Sequence, residues 1–115
     1  MKFVLIFIFL VTFVTYIQAA DYQWGEPDGP KDYLIAKDKV KKIFFLGLRV
    51  TKKYIFKQRD TDALTITAIR ITDIKKKYDS TAEIISGGLG SKGVAIRFKS
   101  KKSKSIKSLV EIWGR

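Results

Sequence analysis

The 115-residue chain contains no cysteine, no histidine and no asparagine. Without thiols or imidazoles, zinc sites of the usual ligand types, haem attachment, a thiol nucleophile and a Ser-His-Asp arrangement are all excluded. The missing asparagine removes N-linked glycosylation. Small domains outside the cell often rely on disulfides, so this one must hold itself by sheet pairing and apolar burial. Proton transfer would have to rest on carboxylates, lysines or tyrosines, and no pairing among them is visible. Asp60 and Asp62 share a turn, but one turn does not supply the ligands that calcium needs. The expectation is a non-enzymatic protein with no cofactor and no metal.

What is present is apolar, aromatic and basic. At 46% hydrophobic and 13% aromatic residues the chain belongs with globular rather than disordered sequences. Its formal net charge is +12. The bases are unevenly spread: Asp21 to Asp32 holds four acids and one base, whereas Tyr33 to Arg115 holds 21 bases against 7 acids, a net +14. Such a field attracts anionic lipid heads, sulfated glycans, nucleic acid and acidic proteins alike. Lysines that keep a small β protein soluble and its edges unpaired account for the same composition.

The chain opens on Lys2 and an apolar run, Phe3 to Val14, followed by small residues at Ala19 and Ala20. Charge, an apolar core of about a dozen residues and then a small residue make the pattern of a secretory signal peptide. Cleavage is expected after Ala19, with Ala20 the alternative. The run is too short for a membrane anchor, which needs about 20 apolar residues. Three segments follow from this reading: a signal at 1–19, an acidic arm at 20–32 and a basic β domain at 33–115. The mature protein is expected to be secreted, extracellular, free of a transmembrane segment and monomeric. The arm contains Pro27 and Pro30 and reads as a mobile lead-in or a strand-like cover, with Trp24 packing back onto the domain.

From Tyr33 onward, short apolar runs alternate with turn chemistry, and no run has a helical period. The prediction is an all-β fold, a small antiparallel sandwich or flattened barrel of six to seven strands. Tyr33–Ala36 reads as a first strand. Lys42–Phe56 reads as two strands or one bent at Gly47, with Leu48, Val50, Tyr54 and Phe56 on one face. Leu64–Asp73 is rich in β-branched residues and changes apolar phase, which predicts a bulge near Ala68. Lys75–Ser80 is a basic loop. Ala82–Ser86 is a strand, and Val94, Ile96 and Phe98 alternate with Ala95, Arg97 and Lys99 to give a greasy and a basic face. Ile106–Trp113 closes the unit.

Two motifs imitate chemistry. Gly88, Gly90 and Gly93 match a dinucleotide-binding spacing, but that loop works at the N-terminus of a helix, and here a strand follows. Gly87, Gly88, Gly90 and Gly93 are therefore assigned to a hairpin turn. The run Lys99 to Lys107 has the composition of a nuclear-localisation or phosphate-binding patch and reads most simply as a solvated hairpin tip. As a binding surface for an anion or a partner it offers Arg97, Lys99, Lys101, Lys102, Lys104 and Lys107, acting through counterion release. Few aromatics are interleaved with these charges, which argues against nucleic acid.

ITAIRITD at Ile66–Asp73, IISGGLGSKGVAIRFKS at Ile84–Ser100 and VEIWGR at Val110–Arg115 together resemble the insect multiprotein bridging factor 2 family, whose members are also described as salivary secreted peptides. The resemblance implies a small arthropod protein with a signal peptide and no enzymatic activity, in a family named for a transcriptional co-activator that bridges a DNA-bound factor to the basal machinery. Gly93-Val94-Ala95 stands where the family often has a glycosylation triplet, and Ser105 and Ser108 stand where it tends to have glycine and a large aromatic. Ser108 shares a phase with Val110 and Ile112, and a hydroxyl buried there unpaired costs about 1–3 kcal/mol. The last strand is therefore expected at a sheet edge, or with Ile106 taking over its packing.

The functional expectation is a secreted, basic β-sandwich protein of saliva, venom or body fluid that binds a protein partner or an anionic glycan or lipid surface. Transcriptional co-activation is the first alternative, and an antimicrobial or membrane-active role is the second.

Overall fold

A computed structural model describes residues 21–115 apart from residue 60. The expected signal segment, with Ala19 and Ala20, lies outside the described residues. Seven strands follow one another: β1 (Tyr22–Trp24), β2 (Tyr33–Lys42), β3 (Thr51–Lys57), β4 (Ile66–Asp73), β5 (Thr81–Gly87), β6 (Gly93–Lys99) and β7 (Ile106–Gly114), with one 3₁₀ turn at Lys76–Tyr78. They make two antiparallel sheets, ordered β1-β4-β7-β2 and β3-β6-β5. The all-β prediction holds.

The alternation that predicts β6 and β7 also places the core. Along β7 every second residue, Ile106, Ser108, Val110, Ile112 and Gly114, is buried. Ile66, Ile69 and Ile71 from β4 join them from the same sheet, and Val94, Ile96 and Phe98 face them from β6. Side chains of the two inner faces thus interdigitate in one sandwich core. The bulge falls as predicted, as a register shift between Ile66 and Ala68 that turns Ile69 and Ile71 inward.

Three expectations need correction. The first strand runs to Lys42 rather than Ala36, because β2 pairs with β7 over its whole length. Residues 43–50 form a loop and not a strand, so Leu48 is exposed while Val50, Tyr54 and Phe56 turn toward the core. The last strand is no edge: β7 lies between β4 and β2. Ser108 is fully buried there without an unpaired hydroxyl, since its Oγ donates to Asp73 Oδ1 at 2.8 Å. Ser80 Oγ donates to the same oxygen at 3.0 Å. Asp73 thus ties β4, the loop after it and β7 together in a buried polar cluster.

Of the two readings of the arm, the strand-like cover is the one that forms. Tyr22–Trp24 pairs with Ile69–Ile71, and Tyr22 and Trp24 stack and pack against the core.

Candidate binding surface

Antiparallel pairing sends alternate loops to opposite ends of the sandwich. The loops at 43–50, 74–80 and 100–105 gather at one end, those at 25–32, 58–65 and 88–92 at the other. The first three carry seven bases, Arg49, Lys75, Lys76, Lys77, Lys101, Lys102 and Lys104, against the single acid Asp79. The other three carry five acids and three bases. Charge is therefore polarised along the strands.

The basic end is built around the 43–50 loop between β2 and β3. Ser100, itself buried, caps its base: Ser100 Oγ accepts from Val50 N–H at 2.8 Å, and Ser100 N–H donates to Val50 O at 2.9 Å. Further out, Ser103 Oγ accepts from Gly47 N–H at 2.6 Å, Ser103 N–H donates to Leu48 O at 2.8 Å and Ser105 Oγ accepts from Phe44 N–H at 3.0 Å. Leu48 N–H closes a turn onto Phe45 O, with Gly47 at φ +80°. The serines of the lysine-serine hairpin are clasps on a neighbouring loop. With its backbone held, the loop turns its side chains outward: Ile43, Phe44, Phe45, Leu46 and Leu48 are 72, 50, 60, 85 and 60% exposed.

The six bases named from the sequence do not form one patch. Arg97 and Lys99 lie on the outer face of the β3-β6-β5 sheet, where Arg97 pairs with Glu83 at 3.1 Å. Lys101, Lys102 and Lys104 lie in the hairpin tip, and Lys101 Nζ is 2.7 Å from Asp79. Lys107 is on the other sheet, opposite Lys41. Further lysines, 37, 39, 41 and 42 on β2 and 52, 53 and 57 on β3, decorate edge strands, where charge discourages pairing with another chain. Part of the basic character thus serves the sheet edges.

The opposite end is closed on itself. Gly87, Gly88 and Gly90 all have positive φ, and a Cβ on Gly87 would come within 2.2 Å of Gly93 O. Gly93 is extended and packs against Phe56 O, so its smallness serves strand contact rather than the turn. Gln58 spans the 58–65 loop, accepting from Leu64 N–H and donating to Leu64 O and Lys92 O. Asp32 accepts from Asp28 N–H at 2.8 Å and from Arg115 Nε at 2.8 Å. The backbone donor and the guanidinium hold its carboxyl below the usual carboxylate range. At the β2/β3 edge Tyr54 OH donates to Asp38 across the two sheets. Burial, with Asp38's hydrogen bond and charge, raises the phenol's pKa well above its ordinary 10.0.

Among the described residues no group of three acids is placed to hold a metal ion. Asp73 and its two serines are buried, and both hydroxyls are committed to the Asp73 carboxylate, so the cluster serves the packing of β4 on β7. The arrangement offers a charged and partly apolar surface for contact.

Comparison with known families gives a match over residues 24–114 to the model described as Transcription activator MBF2. No match was found among curated proteins or among solved structures.

Proposed function

Because the chain belongs to the MBF2 transcription activator family, we propose that it is a non-enzymatic co-activator that works through protein contacts, bridging a DNA-bound factor to the basal transcription machinery. The observation that carries this reading is the extent of the match, which runs from Trp24 at the end of β1 to Gly114 at the end of β7 and so takes in both sheets and the whole core. The architecture suits the role: a rigid sandwich with one charged end offers a fixed contact surface. Its test is a reporter assay with the protein expressed in cells. Reporter output should rise with the parent chain and fall when Lys101, Lys102 and Lys104 are replaced by serine, at unchanged protein level. No rise with nuclear protein present contradicts the reading.

A second reading rests on a different observation, the apolar run Phe3–Val14 ahead of Ala19 and Ala20. It makes the same domain a secreted basic binding protein. Mass spectrometry of the native N-terminus separates the two. Protein in extracellular fluid starting at Ala20 or Asp21 supports secretion, whereas intact Met1 in nuclear extract supports co-activation.

A further inference from the structure

We propose that the 43–48 loop is an interfacial anchor that inserts into anionic lipid bilayers. This goes beyond the co-activator reading and does not depend on it. Nine successive residues, Lys41 to Arg49, are exposed, and five of them are large apolar side chains. Exposed apolar surface concentrated in one place marks a binding site, whereas scattered exposed leucines need no explanation. Here the apolar residues form the exposed tip of the loop, and the bases border it: Lys41, Lys42 and Arg49 in the same segment, Lys101, Lys102 and Lys104 in the hairpin clasped to it. A groove of about 250 Å³ beside Ile43 is lined by Lys41, Lys42, Lys107 and Tyr78, with room for an anionic headgroup.

That layout, apolar tip and cationic collar, matches the layering of an anionic bilayer surface, with acyl chains below and phosphates around. Each base close to such a surface strengthens binding by about fivefold. A second copy of this chain is a poor occupant, because two such collars would repel. The serine clasps matter as well. They give the N–H of Phe44 and Gly47 and the carbonyl of Leu48 partners within the protein, which lowers the cost of bringing that part of the loop's backbone to a lipid interface.

Among the described residues, seven strands and the core lie within 21–115, so this portion is used once circular dichroism and a cooperative urea transition show that it folds by itself, which keeps the apolar run at 3–14 out of the measurement. The absence of cysteine makes Leu46→Cys a unique attachment point for an environment-sensitive fluorophore, with Glu26→Cys at the opposite end as its control. Vesicles of mixed phosphatidylserine and phosphatidylcholine should shift the Leu46→Cys label to the blue and leave the control unchanged. Pure phosphatidylcholine should shift neither. Sedimentation with the mixed vesicles should show affinity lowered at least about tenfold by Phe45→Ser with Leu46→Ser, and lowered again by Lys101→Ser with Lys102→Ser. Circular dichroism checks that each variant is folded. Undiminished binding of the apolar double variant would overturn the proposal, since charge alone would then suffice. No shift with anionic vesicles overturns it, as does a shift that follows protein concentration without lipid, the mark of self-association.

Discussion

Both ends of the sandwich are hydrogen-bonded loops, of opposite charge balance and put to opposite uses. At the glycine end, the 88–92 turn, the Gln58 loop and the Asp32–Arg115 pair turn their polar groups on one another. Leu89 is the large apolar residue exposed in those turns among the described residues. At the lysine end the hydrogen bonds of the 43–50 loop fix its backbone and leave five large apolar side chains in solvent. Loops that serve only to connect strands have no physical reason to keep such side chains outside. The difference separates an end that closes the fold from an end that is held ready for contact.

Substitutions can break this comparison. The largest effect is expected below the lysine end, at its buried anchor. Asp73→Ala leaves the Ser80 and Ser108 hydroxyls without their acceptor and should cost about 3 kcal/mol in urea unfolding. A smaller loss should follow at the glycine end. Gly87→Ala places a methyl against Gly93 O at a φ of +70°, and about 2 kcal/mol of stability should disappear from the same measurement. If either change is neutral, that end is less rigid than its hydrogen bonds imply.

The smallest effect belongs to the edge where the two sheets meet. Tyr54→Phe removes one hydrogen bond and should cost about 1 kcal/mol near neutral pH. The folded phenol's pKa is raised above its unfolded value, so its contribution is fully present below pH 10.0 and is lost as pH rises beyond it. The stability gap between parent and Tyr54→Phe should therefore narrow above that pH. A gap that widens would mean that the phenolate is the form the fold prefers.

What could be read from the residues follows physical range. Alternation along Val94–Lys99 and Ile106–Trp113, and the phase change at Ala68, are local signals, and the strands and the bulge lie where those signals put them. Ile43 to Leu48 has the composition of a strand, and nothing within it says that it stays outside. That outcome depends on Ser100, Ser103 and Ser105, more than fifty residues away. Ser108 is a similar case: its partner Asp73 is 35 residues distant, so a hydroxyl that reads as a misfit is satisfied by tertiary structure. The arm is misleading for a related reason. Its prolines at 27 and 30 follow the paired segment Tyr22–Trp24 and do not interrupt it.

The central claim is that the apolar tip is held for contact and contributes nothing to the core. Urea unfolding of Phe45→Ser with Leu46→Ser tests it most directly. The account predicts stability within about 0.5 kcal/mol of the parent, as for exposed sites outside the core cluster. A loss of about 3 kcal/mol, the size expected for a buried pair, would contradict it.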